Sequence, residues 1–224
     1  MTDAIDLPEL FETGPDDANA SILLLHGLGA DGHDLEGILP HLRLPADARW
    51  RFVFPNAPKR PISINGGMEM RAWYDIDPAA GLDSGGDDIA ASAAQAAALI
   101  DREEARGINP ARIVIGGFSQ GGVIALEAGL GYRRRLAGIV GLSTYLHDHA
   151  RITERLSLAN AELPLFMAHG LTDPMIPIHR AATGRSTLTE LGYPVSWHEY
   201  PMGHEICLEE LQALSAWLTQ KLAR

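Results

Sequence analysis

Ser119 stands in Gly117-Phe118-Ser119-Gln120-Gly121, a G-x-S-x-G pentapeptide. The run before it, Arg112-Ile113-Val114-Ile115-Gly116, is apolar and β-branched and reads as a buried strand. After it, Val123, Leu126 and Leu130 recur at helical spacing. Strand, tight turn and helix in that order form an elbow that lifts a serine hydroxyl clear of a sheet. The turn leaves no room for side chains at Gly117 and Gly121. It also aims the backbone N–H of Gln120 at a reacting oxygen, next to the positive end of the following helix.

A serine hydroxyl is a poor nucleophile near neutral pH unless a positioned base takes its proton and an acid orients that base. An elbow of this kind is followed along the chain by the acid and then the histidine. The histidines after Ser119 are His147, His149, His169, His179, His198 and His204. His147, His149 and His169 precede the best acid candidate. His179 falls inside an expected helix from Ile176 to Leu191, and His198 within an alternating strand, Val195 to Tyr200. His204 follows that strand in the loop Pro201-Met202-Gly203-His204 and is the expected base. The acid is expected at Asp173, in the turn-rich stretch His169-Gly170-Leu171-Thr172-Asp173-Pro174 that follows the strand Pro164 to Ala168. Loops at the carboxyl ends of parallel strands carry the chemistry of open α/β sheets. Asp148 and Glu199 follow no clear strand end and are weaker candidates.

A second oxyanion donor is expected early in the chain. Ser21-Ile22-Leu23-Leu24-Leu25 is a strong strand, and His26-Gly27-Leu28-Gly29-Ala30-Asp31-Gly32 follows at once. Glycines there let the backbone approach a substrate, and Leu28 would donate its N–H alongside Gln120. A phosphate loop is excluded, because no Gly-Lys-Ser/Thr follows and the spacing is not G-x-G-x-x-G.

The elements that must position these residues alternate. Strands are expected at Ser21–Leu25, Arg51–Phe54, Arg112–Ile115, Leu136–Leu142, Pro164–Ala168 and Val195–Tyr200. Helical patterns lie between them, notably Asp87–Arg106, stopped by Gly107 and Pro110. A last helix carries Leu208, Leu211, Leu214 and Leu218 on one side. Alternation of this kind implies one α/β domain over residues 1–224, with a mostly parallel central sheet covered by helices on both faces. No insertion is long enough for a separate lid domain. Lys59 to Ser84 is too long for an ordinary connection. Within it a short hairpin is expected around Asn65-Gly66-Gly67. Its apolar residues Ile62, Ile64, Met68 and Met70, together with Trp73, are expected to line an acyl groove beside Ser119, with Met68 and Trp73 the expected substrate-binding residues; covering the core is the alternative role.

These pieces together resemble the small carboxylesterase/phospholipase family, which includes bacterial carboxylesterases and the acyl-protein thioesterases. The matching segments are Leu25 to Asp31, Pro55-Asn56-Ala57-Pro58, Asn65-Gly66-Gly67, Trp73-Tyr74-Asp75, Gly117 to Gly122, His169-Gly170 with Asp173, and Gly203-His204. They span almost the entire chain. The resemblance implies the α/β-hydrolase fold, Ser119 as nucleophile, Asp173 and His204 as its partners, and Leu28 and Gln120 as oxyanion donors. Ser143-Thr144-Tyr145-Leu146 departs from the tryptophan-containing version common in eukaryotic thioesterases, which puts long-chain acyl-protein substrates in doubt.

Composition narrows the partners. A formal net charge of −11 argues against nucleic acid and anionic membranes. The stretch Met1 to Leu10 carries Asp3, Asp6 and Glu9 and is not expected to be a secretory segment. Thr2 after Met1 offers no myristoylation glycine, and no stable membrane anchor is expected. The single cysteine, Cys207, cannot form an internal disulfide, so a cytoplasmic location is expected. His147-Asp148-His149 lacks a third ligand at sensible spacing, and neither a metal nor another cofactor is expected. The expected partner is a small-molecule ester; a homodimer is compatible with the sequence. The expected chemistry is short- to medium-chain ester hydrolysis through an acyl-enzyme. Alternatives are thioester or lysophospholipid hydrolysis and, more distantly, a non-catalytic binding protein on the same fold.

Overall fold

The computed structural model describes residues 7–223 of the chain. Residues 1–6, and with them most of the acidic N-terminal stretch, lie outside the described residues. Seven strands form one sheet: β1 (Leu10–Thr13), β2 (Ala20–Leu25), β3 (Trp50–Pro55), β6 (Ile113–Phe118), β7 (Gly138–Leu142), β8 (Leu165–Gly170) and β9 (Val195–Tyr200). Their spatial order is β1-β3-β2-β6-β7-β8-β9. Only β1 runs antiparallel to its neighbour. The six parallel strands are those expected: β9 has the expected bounds, β6 runs three residues further to Phe118, and the others differ at their ends by two residues at most. β1 was not expected; four residues on a sheet edge carry too little apolar pattern to announce a strand.

Chain direction across the sheet reverses at β2. From β2 the chain steps outward to β3, then returns past β2 to β6 on the other side. The crevice at the carboxyl ends of β2 and β6 is therefore the switch point where such sheets bind ligands. Both the Gly27–Gly29 loop and Ser119 emerge there.

Among the described residues the α-helices are α1 (Gly32–Glu36), α2 (Gly86–Ala105), α3 (Gln120–Gly131), α4 (Ile178–Glu190) and α5 (Leu208–Lys221). Side chains alternate across each strand and feed two cores. Leu23, Leu25, Ile113 and Ile115 pack toward α2 and α3 with Leu99, Ile100, Val123 and Leu126. Ile22, Leu24, Val114 and Val140 pack toward α1 and α5 with Leu35, Leu211, Leu214 and Trp217. Strands buried on both faces need the near-continuous apolar runs found at 20–25 and 113–115. The connection between β3 and α2 carries the expected hairpin, β4 (Lys59–Ile62) against β5 (Met68–Arg71), with Gly66 and Gly67 at positive φ in its turn.

At the opposite end of the sheet from Ser119, the Glu103 carboxylate of α2 is fully buried. It accepts hydrogen bonds from Ser21 Oγ (2.6 Å), Arg51 Nη1 (3.0 Å), Arg102 Nη1 (2.9 Å) and Arg106 Nη1 (3.0 Å). Removing the carboxylate would leave the Arg51 guanidinium buried without its partner. Glu103→Ala is expected to lose about 3–5 kcal/mol of folding stability. Denaturant unfolding measures this; a loss below about 1 kcal/mol would show that the network contributes little.

Candidate active site

Ser119 connects β6 to α3 with φ 54° and ψ −120°, in the region that non-glycine residues avoid. Its surroundings enforce that conformation. A Cβ on Gly117 would lie 2.3 Å from the backbone carbon of Gly121, and one on Gly121 would lie 2.1 Å from the Leu25 carbonyl oxygen. Only hydrogen fits at either glycine, so the chain can cross itself tightly between β6 and α3. The Ser119 N–H donates to Leu142 O (2.9 Å), and Thr144 Oγ1 donates to Ser119 O (2.8 Å). The side chain is left as the free end of the turn.

Ser119 Oγ lies 2.9 Å from His204 Nε2, and His204 Nδ1 lies 2.7 Å from Asp173 Oδ2. The structure thus brings together the three residues that the sequence singled out, from loops after three different strands. Asp173 is buried, and its other oxygen accepts the N–H groups of Met175 (2.8 Å) and Ile176 (2.9 Å). Those bonds hold the carboxylate as an acceptor facing His204. The His204 ring also packs on Phe118 at 4.8 Å between centroids. A serine oxygen hydrogen-bonded to an imidazole, itself bonded to a buried carboxylate, can transfer its proton while it attacks a carbonyl carbon.

His169 lies beneath this relay rather than in it. It is fully buried, and its Nε2 donates to Ile176 O at 2.8 Å, which ties the 170–176 loop to β8. Burial holds its pKa below the ordinary imidazole range, so it stays neutral there. His147 and His149 sit beside a separate shallow depression with Asp83 and Asp148. Among the described residues no cluster of three or more His, Cys, Asp or Glu side chains could hold a metal.

The loop after β2 lies directly against the elbow. A Cβ on Gly27 would come within 3.1 Å of the Phe118 ring and 3.4 Å of Ser119 Cβ. Among the described residues, neither the Leu28 N–H nor the Gln120 N–H is used by another protein group. Two unengaged donors beside a nucleophilic oxygen can receive a developing oxyanion.

A cleft of about 740 Å³ opens at Ser119 and His204. Its apolar walls include Leu28, Ile64, Met70, Ile76, Phe118 and Met175, and Tyr74 and Tyr145 meet in it. The hydroxyls of these two tyrosines are 3.0 Å apart, and Tyr145 OH donates onward to Leu82 O at 2.8 Å. Burial raises the pKa of both phenols, so they remain neutral. Tyr145 comes from the segment where the sequence departs from the thioesterase pattern.

Trp73 and Met68 are corrections. Trp73 is only 1% exposed and packs in the core, with its indole aimed at the His26 carbonyl rather than into the cleft. The chain bends at Trp73 and Tyr74, and the aromatic that lines the cleft is Tyr74. Met68 is 63% exposed and pairs with Ile62 at the hairpin tip, beyond the edge of the cleft. Met70 of the same hairpin does line it.

With this geometry in hand, the chain can be set beside known proteins. A family described as phospholipase/carboxylesterase matches residues 9–222. This chain belongs to that family. It is 40% identical over 215 residues to an acyl-protein thioesterase 1 of Neurospora crassa, covering 92% of this chain and 88% of that one. It is 33% identical over 205 residues to a probable carboxylesterase of Oryza sativa, covering 90% of this chain and 77% of that one. The crystal structure of SOBER1 from Arabidopsis thaliana superposes with a TM-score of 0.84 at 28% identity, over 92% of this chain and all of the other. The fold is the α/β-hydrolase fold, and the chain is a member of a family of ester- and thioester-cleaving hydrolases. Among the described residues no helix is long and apolar enough to cross a membrane.

The loop that carries His204 leads into α5, where a second carboxyl group has an unusual setting. Glu210 is fully buried; its Oε2 accepts the Cys207 N–H at 3.3 Å, and its Oε1 has no partner among the described residues. Burial pushes its pKa up to about 8. The folded chain therefore holds a proton that the unfolded chain releases near pH 4–5, and stability falls as pH rises toward 8. Glu210→Gln keeps an acceptor for Cys207 N–H and has no charge to bury. Its melting temperature is expected to decline less than the parent's between pH 5 and 8; parallel declines would show that Glu210 does not govern this range.

Proposed function

We propose that this chain is a serine carboxylesterase that hydrolyses short- to medium-chain carboxylic esters through an acyl-enzyme on Ser119. The observation that carries the assignment is the hydrogen-bonded series Ser119 Oγ, His204, Asp173 at 2.9 and 2.7 Å, placed at the mouth of an apolar cleft. In the first step Ser119 Oγ attacks the ester carbonyl carbon while His204 Nε2 takes its proton. The carbonyl oxygen becomes an oxyanion, held by the N–H groups of Leu28 and Gln120. Collapse of that intermediate breaks the bond to the alcohol oxygen, which leaves with the proton from His204. Water then attacks the acyl-enzyme by the same route and releases the acid. Asp173 keeps the imidazole in the required tautomer and offsets its transient charge. No step needs a metal or a cofactor.

The acyl chain would lie along Leu28, Ile64, Met70 and Met175. The proposed partner is a small-molecule ester, and the net charge of −11 argues against nucleic acid. The likeness to a relative named acyl-protein thioesterase 1, at 40% identity, favours thioester hydrolysis as a second reading, because the same attack cleaves either bond. A lysophospholipid is a third acyl donor of the same kind. A cytoplasmic location belongs to the same proposal and is supported by the single unpaired cysteine, Cys207.

Ser119→Ala is expected to stay folded and lose at least about 10³-fold in kcat, with loss of fluorophosphonate labelling. Undiminished labelling of Ser119→Ala would place the nucleophile elsewhere. A panel of p-nitrophenyl esters of graded length, with one thioester and one lysophospholipid, ranks the acyl donors. Each methylene buried against the cleft contributes up to ~0.8 kcal/mol, so kcat/KM should rise from acetate toward hexanoate. Met70→Ala should flatten that rise while sparing acetate. An unaltered chain-length profile in Met70→Ala would mean that the acyl group binds elsewhere.

A further inference from the structure

The segment Arg71–Tyr74, buried from Ala72 onward, makes more hydrogen bonds to the two sides of the Ser119 site than a core filler requires. Trp73 Nε1–H donates to the His26 carbonyl at 2.9 Å, and Trp73 N–H donates to Gln120 Oε1 at 2.9 Å. Gln120 Nε2 donates back to Tyr74 O at 2.7 Å. Arg71 O accepts the Gly29 N–H at 2.9 Å. From the far side, Ser92 Oγ of α2 donates to Trp73 O, so the segment is itself held.

On the His26–Gly29 side, these bonds account for one peptide unit after another. The His26 carbonyl is taken by the Trp73 indole and the Gly29 N–H by Arg71. Between them, Gly27 O lies 2.7 Å from His26 Nδ1, and His26 Nε2 accepts the Ala57 N–H at 3.0 Å. An imidazole that accepts at Nε2 is neutral with its proton on Nδ1, so Nδ1–H donates to Gly27 O. Gly27 O and Leu28 N–H belong to the same peptide unit, and in a trans peptide they point in opposite directions. Holding Gly27 O against His26 therefore turns the Leu28 N–H the other way, and that N–H is the donor left over. On the other side, the Gln120 side chain is fixed at both ends while its N–H stays free.

We infer that Trp73 is a positioning residue for the oxyanion hole: it ties the peptide that precedes the Leu28 donor to the residue that supplies the Gln120 donor. It touches no reacting atom. The two donors come from loops after different strands, β2 and β6, and Trp73 is bonded to both sides at once. The role rests on the serine-esterase function proposed above. It replaces the groove-lining role that the sequence suggested for this residue.

Trp73→Phe keeps an aromatic ring in the core and deletes only the bond to His26 O. Losing one oxyanion donor outright costs about 10²–10³-fold in kcat, and misaiming one should cost less. The expected result is a fall of about 10- to 100-fold in kcat with KM changed less than about threefold, measured well below the melting temperature. A trifluoromethyl ketone, which forms a tetrahedral adduct on the serine, should weaken in proportion to kcat/KM. The pH profile should be unchanged, because Ser119, His204 and Asp173 keep their bonds. A lowered melting temperature with unaltered kcat and ketone affinity would overturn the inference and leave Trp73 a core filler. If Trp73→Phe does not fold, Gln120→Met removes the other bonds and must show the same pattern; unaltered kcat there overturns it equally. A parent enzyme that neither turns over esters nor binds the ketone would overturn the esterase function first, and this role with it.

Discussion

The site depends on one enforced backbone conformation, that of Ser119 at φ 54°. A non-glycine residue held in a sparsely populated region costs about 1–3 kcal/mol, and it persists only where the surroundings over-determine it. Here they do. The preceding strand is paired on both sides by β2 and β7, the following helix is buried between α2 and the sheet, and the serine's own N–H and C=O are both bonded. Gly117 and Gly121 remove the side chains that would block the crossing. Because the turn is fixed, the hydroxyl points to one place, and the loops after β2, β8 and β9 can be arranged around it.

Those loops divide the electrostatic work. Asp173 is the one charge buried at the centre of the relay, and three donors converge on it: two backbone N–H groups and the His204 ring. A buried carboxylate is tolerated only when its oxygens are satisfied in this way. The neighbouring histidines, His26 and His169, are both held neutral by burial and serve as fixed hydrogen-bonding spacers for backbone carbonyls. The two neutral histidines thus hold the loops that carry Leu28 and Asp173 on either side of Ser119.

Much of this was legible in the sequence, for a physical reason. Ser119 and Asp173 follow strands with apolar runs, and His204 follows an alternating strand; strand order in an open parallel sheet places the turns after such strands at one edge. Leu28 was legible because Gly27 and Gly29 bracket it. Trp73 and Met68 were not, because their positions depend on which way an irregular segment faces. Trp73 and Tyr74 are adjacent aromatics, and nothing local decides which one enters the core and which one meets the cleft. The Tyr74–Tyr145 contact joins residues 71 positions apart in sequence, and it appears only once the 56–85 excursion is folded over the sheet. The edge strand β1 and the contact of Glu103 with Ser21 and Arg51 were equally silent, since both are made by joining residues far apart in the chain rather than by periodicity.

Covalent catalysis at Ser119 underlies the proposed function, and pre-steady-state turnover of a p-nitrophenyl ester tests it. Mixing excess ester with a known concentration of enzyme and quenching in acid traps whatever is attached to the protein. A mass increase of one acyl group per chain is expected, mapped to the peptide that contains Gly117 to Gly121. Where deacylation is the slower step, a burst of p-nitrophenol equal to the enzyme concentration should accompany it. An acyl group found on another residue, or full turnover with no protein-bound acyl group even when a slowly deacylating bulky ester is used, would contradict it.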